Sequence, residues 1–117
     1  MTEYLLLHTT DPTAEDWNDD EDPRKLAEWV AARRATPLGH HGSPVGPRRQ
    51  AKSVTVRDGE THVTDGPFSE FKEWFMGFDL IEAESMEEAV QIAAGHPSAK
   101  IGRLYVLPNV SEWKDER

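Results

Sequence analysis

The sequence predicts an α+β domain in which an antiparallel sheet carries its helices on one face. Three observations lead there. The apolar stretches Tyr4–His8, Gly77–Ala83 and Ile101–Leu107 are strand-length and bounded by turn residues. Two segments with helix start and stop signals lie between them. A further β-type stretch, Ser53–Asp65, contains Asp58-Gly59, a pair suited to a two-residue turn with positive φ at both positions. The order is strand, helix, hairpin, strand, helix, strand, which is the βαββαβ ferredoxin-like plan. The 117 residues fit one domain, 1–117, with no repeat and no linker.

Each element has a local cause. In Tyr4–His8, Tyr4, Leu6 and His8 face one way and Leu5 and Leu7 the other. Residues 9–22 form an acidic loop. Asp22-Pro23 starts the first helix, with Asp22 as N-cap, and Pro37 stops it after about Thr36. Leu26, Trp29, Val30 and Arg33 share its inner face. Arg24 and Lys25 oppose the dipole of the first turn, so local pairing with the acidic loop is expected. Residues 37–50, rich in Pro and Gly, read as an irregular connection. In the hairpin the turn pairs Arg57 with Glu60, Val56 with Thr61, Thr55 with His62 and Val54 with Val63. That register turns the Val pair inward and His62 to the other face. Ser69–Phe75 is a short helical turn or an irregular arm. Ser85 and Glu88 form a capping box, and the second helix ends at Gly95-His96-Pro97.

Composition excludes several functions. There is no cysteine, hence no disulfide, thiolate metal site or thiol nucleophile. The start of the chain lacks a basic region, no apolar run is long enough to span a bilayer, and a cytoplasmic location is expected. A net charge of −9 argues against nucleic acid and anionic membrane as partners. The charge is unevenly spread. Acids crowd residues 11–22, while residues 24–57 hold Arg24, Lys25, Arg33, Arg34, Arg48, Arg49, Lys52 and Arg57 against Glu28 alone. A basic rim of this kind suits a small organic anion. Both faces of Tyr4–Leu7, Phe78–Ile81 and Leu104–Leu107 are apolar, yet two helices cover only one. The uncovered face is expected to meet a second copy, giving a homodimer through sheet faces.

The run Asp65-Gly66-Pro67-Phe68, then Glu70, Lys72 and Glu73, then Gly77-Phe78 heading a strand, resembles the signature of the DGPF family, a branch of the YCII-related proteins. The hairpin Val54–Val63, the capped helix at Ser85 and the His96-Pro97 exit are also similar to that family. The likeness runs from about residue 52 to Pro108, and more loosely over the first strand. It implies a dimeric α/β-barrel of ferredoxin-like protomers with a cleft between the sheet and the irregular connections. It also implies, for some relatives, a His–Asp pair proposed as catalytic; one relative acts in dehalogenation of an aromatic ring. Members of the DGPF branch often occur beside sigma-factor genes. The His of the YCII-like enzymes lies near the start of the first helix. Here that segment reads Asp22-Pro23-Arg24-Lys25-Leu26, and the histidine is not carried over.

The candidate catalytic residues are therefore Asp65, His62 and His8. Asp65 either closes an Asx-type turn or serves as a base or as a polariser of a histidine. His62 lies three residues before it, and His8 ends the first strand, where clefts commonly open. Lys72, Arg48, Glu70 and Phe68 are the candidate substrate-binding residues, with Glu73 beside them. His40-His41 lacks a third ligand at metal spacing, so no metal is expected. His96 reads as a cation at a helix C-terminus. No phosphate-cradling glycine loop is present, and no cofactor is expected. Two functions remain. One is a cleft that binds a small molecule and moves a proton or eliminates a group. The other is a non-enzymatic regulatory module linked to transcription.

Overall fold

The computed structural model describes residues 1–66 and 72–110. Its elements are β1 (Thr2–Thr9), α1 (Asp22–Arg34), β2 (His41–Pro44), a 3₁₀ turn (Arg48–Gln50), β3 (Lys52–Arg57), β4 (Glu60–Asp65), β5 (Phe75–Ala83), α2 (Met86–Ala94), α3 (Ser98–Ile101) and β6 (Arg103–Pro108). One antiparallel sheet has the order β2-β5-β1-β6, and β3-β4 form a second sheet of their own. The α+β, ferredoxin-like reading holds, because the four-stranded order is the one that plan requires. No helix among the described residues is long and apolar enough to cross a membrane.

The strand that completes the sheet is not the expected one. The hairpin register is as predicted, from Lys52 opposite Asp65 to Arg57 opposite Glu60. Its turn has φ 51° at Asp58 and 78° at Gly59. Yet every residue of β3 and β4 is exposed, Val54 and Val63 included, so the Val pair does not point into the core. The fourth place is taken by His41–Pro44, inside the segment expected to be irregular. His-Gly-Ser-Pro has little strand preference. It succeeds as a short edge strand, where Pro44 need not donate to a further neighbour.

The register sorts the sheet into two faces. Tyr4, Leu6 and His8 of β1 face the same side as Ile81 and Asp79 of β5 and Leu104 and Val106 of β6. The helices cover that side. The core there is Tyr4, Leu6, Trp29, Ile81, Ala83, Ala89 and Ala93. Leu5, Leu7, Phe78, Leu80, Tyr105 and Leu107 face the other way, as the alternation predicts. Phe78, Tyr105 and Leu107 remain 38–42% exposed.

Three helix details differ from expectation. Asp22 is the first helical residue of α1, not its N-cap, which is Glu21. The buried Asp22 carboxylate accepts from Lys100 and from the Asn18 amide, and these bonds hold its pKa below the usual carboxylate range. It therefore ties α1 to α3, an element absent from the expected order. Lys25 reaches Glu21 at 3.9 Å, but Arg24 pairs along the helix with Glu28 at 3.0 Å. Ser85 caps α2 as predicted, its hydroxyl accepting from the Glu88 amide. The last strand starts at Arg103 because Ser98–Ile101 is helical.

A histidine–aspartate candidate site under the helices

His8 sits at the end of β1 on the helix-covered face. Gly77 is its partner on β5, so Asp79, two residues along, stands diagonal to it on the same face. The ladder shifts register directly after His8, a kind of irregularity that re-aims side chains beside active sites. His8 Nε2–H donates to Asp79 Oδ2 at 2.7 Å. His40, just ahead of β2, sends its Nε2–H to Asp79 Oδ1 at 3.0 Å. One carboxylate, only 6% exposed, thus holds two imidazoles by its two oxygens. A buried carboxylate needs such partners, since desolvation without them costs several kcal/mol, roughly.

Gly42 makes room for this arrangement. It pairs directly with Asp79, and a Cβ there would lie 2.0 Å from Oδ1 and 2.5 Å from the Phe78 carbonyl oxygen. Only a residue without a side chain can run past the carboxylate. This explains a glycine in a strand interior.

His96 completes the group. Its ring stands edge-on to His8 at 4.5 Å and to Trp29 at 4.7 Å. Its Nδ1 accepts a hydrogen bond from the Ser98 amide at 3.0 Å. Trp29 in turn donates its Nε1–H to the Ile92 carbonyl of α2 at 2.8 Å and meets His40 edge-on at 6.4 Å. Burial pushes the His96 pKa down from its ordinary 6.5 to about 4, helped by His8 and opposed by Asp79. His96 is therefore not the helix-terminal cation of the sequence reading but a neutral ring.

The four side chains line a cavity of about 330 Å³. Leu26, Val30, Met76 and Ile101 supply apolar walls. Among the described residues lining it, none is Lys or Arg. His8 Nδ1 has no hydrogen-bond partner among the described residues, so with Nε2–H held by Asp79 a lone pair is left for an occupant. A carboxylate that orients an imidazole and stabilises its protonated form is the general-base arrangement.

Donor atoms of His8, Asp79 and His96 also lie within 4.8 Å of one another, a spacing a cation could use. The hydrogen bonds argue against that use. A ligating imidazole normally donates its other N–H to an acceptor. His96 instead accepts at Nδ1, which leaves the proton on Nε2.

Of the residues singled out from sequence, His8 lies in this cavity. Asp65 ends β4 as an exposed residue, with Lys52 Nζ at 3.0 Å from its carboxylate. His62 is exposed on the same hairpin, 3.8 Å from Glu60. Arg48 stacks over Trp74 at 5.1 Å, and Lys72 is exposed. Glu73 accepts from the Tyr105 hydroxyl at 2.6 Å. Phe68 and Glu70 lie outside the described residues. His41 hydrogen-bonds the Leu38 carbonyl oxygen, apart from its neighbour His40. Asp79, His40 and His96 complete the candidate site; sequence does not single out Asp79, and it raises His40 only as a metal candidate and His96 only as a helix-end cation. One signal was available: Asp79 interrupts the apolar run Phe78–Ile81, where a carboxylate is costly unless partnered.

The model of the YCII-related domain matches residues 2–114. The chain is also 33% identical over 96 residues to an uncharacterised protein of Rhizobium meliloti (strain 1021), covering 80% of this chain and 77% of that one.

Two outcomes follow from the geometry. Gly42→Ala should destabilise the fold by about 1–3 kcal/mol in urea melts, as overpacking does, and should move the ring resonances of both His8 and His40. Unchanged resonances would mean that Asp79 is not confined as described. The lowered His96 pKa has a definite sign. Between pH 6.5 and about 4 the unfolded chain binds a proton that the native ring refuses. That contribution to stability is complete above pH 6.5 and is lost as pH falls toward 4. The stability difference between the protein and His96→Gln should shrink over that window, and the His96 ring signals should not titrate above pH 5.

Proposed function

Because this chain belongs to the YCII-related domain family, and because its helix-covered face holds a carboxylate-oriented histidine over a cavity, we propose that it is an acid–base enzyme acting on a small organic molecule. The carrying observation is the His8–Asp79 pair at 2.7 Å, with His8 Nδ1 left to the cavity. His8 Nδ1 takes a proton from the substrate while Asp79 stabilises the imidazolium that forms. The same ring then returns the proton elsewhere on the substrate, or a leaving group departs with the released electron pair. The reaction is thus an isomerisation or an elimination. His40, on the other carboxylate oxygen, holds Asp79 in place and shares its charge. The apolar walls suit an uncharged carbon skeleton. Neither Arg48 nor Lys72 is among the residues lining the cavity, so an anionic group of the substrate would project beyond it.

Deuterium wash-in tests this. A panel of ketones, lactones and nitroalkanes in D₂O, followed by proton NMR, should show exchange at carbon with the protein present. His8→Gln and Asp79→Asn should lower the rate by about 10²–10⁴-fold. No exchange across the panel with the unmodified protein would remove the enzymatic reading.

The open sheet face supports a dimer. Leu5, Leu7, Phe78, Leu80, Tyr105 and Leu107 form one contiguous apolar surface, and a cavity of about 730 Å³ lies between it and Val45–Ser53. A second copy brings the same surface and covers both at once. Sedimentation should give a dimer at micromolar concentration, and Tyr105→Glu should shift it to monomer. A monomeric parent protein would refute the pairing.

A further inference from the structure

Among the cavity's polar atoms, His96 Nε2 has no role in the reading above. Its Nδ1 is occupied by the Ser98 amide, so the ring has one tautomer while that bond lasts. The proton sits on Nε2. That atom has no hydrogen-bond partner among the described residues, and it is not among the buried unpartnered side-chain atoms. A fixed N–H thus faces accessible space in a ring that lines the cavity. The ring is gripped between His8 and Trp29, so the donor is held in place before anything binds.

We propose that His96 is the oxyanion donor of this site and that the substrate is therefore a carbonyl compound carrying a proton on its α-carbon. The assignment rests on His8 acting as base. His8 Nδ1 takes the α-proton, the C–H electron pair moves into the C–C bond, and the carbonyl π pair moves onto oxygen. The resulting enolate oxygen accepts the His96 Nε2–H. Collapse of the enolate reprotonates carbon from His8, or expels a group from the β-carbon. No further reactant is needed. With ring centroids 4.5 Å apart, base and donor lie close enough to bracket an α-carbon and the oxygen one bond beyond its neighbour. A neutral imidazole suits this task, since it donates a hydrogen bond without delivering its proton. Trp29 is a positioning residue that fixes the donor's ring plane.

Two measurements test the donor apart from the base. Long-range ¹H–¹⁵N spectra of histidine-labelled protein should show His96 as the Nε2–H tautomer from pH 6 to 8. The Nδ1–H tautomer would overturn the proposal. The second probe is 4-nitrophenolate, an oxyanion with no α-proton to lose. It should bind the protein and move the His96 Hε2 resonance downfield. His96→Phe should weaken that binding by roughly ten- to a hundredfold, the worth of one hydrogen bond to a charged group. His96→Gln, which keeps an N–H near the same place, should restore most of it. Equal affinity in His96→Phe and the parent would refute the donor role. His8→Gln should still bind the phenolate while losing carbon-proton exchange. In the unmodified protein, exchange absent with phenolate binding intact would refute the base and leave the donor standing.

Discussion

The Asp79 carboxylate is the constraint on which the helix-covered face is organised. A carboxylate placed mid-strand, under two helices, must find donors or unfold its surroundings. It finds them on β1 and at the entry to β2, and so fixes both strands relative to β5. The demand passes outward. Gly42 has no side chain because Asp79 fills the space opposite it. His40 must end the connection from α1 at one place. His8 must close β1 where the ladder shifts. A hydrophobic residue at position 79 would pack without these conditions, which makes the carboxylate a cost to the fold.

Trp29 links this polar group to the apolar core. It is buried with Tyr4, Leu6 and Ile81, yet its indole N–H anchors α2 and its ring edges meet two histidines. The helix layer and the imidazoles therefore cannot shift independently. Val30, which lines the cavity, also packs against that core.

The sequence made the strand alternation, the hairpin register and the Ser85 cap legible, because each depends on neighbours within a few residues. It did not reveal β2, whose strand state comes from pairing with β5 and not from His-Gly-Ser-Pro itself. The site followed the same division. His8 was visible as a strand-end histidine. Asp79, His40 and His96 meet only after long chain closures, His8 and Asp79 standing 71 positions apart. Asp65 and His62 lie close together in sequence, and that nearness is what makes them candidates there. The hairpin carrying them stands away from the covered face, so proximity along the chain did not translate into a shared cavity. His96 departs from expectation for a related reason: the end of a helix suggests a charged ring, but burial, with His8 beside it, decides otherwise.

The hairpin β3-β4 has one more consequence. It lies within the connection between β2 and β5, which are themselves antiparallel neighbours joined at Pro44 and Gly77. Two strands so placed could be linked by a short turn. The whole of residues 45–74 is thus an excursion from one tight junction. Closing such a loop costs entropy that grows only logarithmically with its length. The sheet and its carboxylate are therefore nearly indifferent to how long the excursion is. A longer or shorter excursion would change the wall it builds over the open sheet face and leave the His8–Asp79–His40 contacts beneath the helices in place.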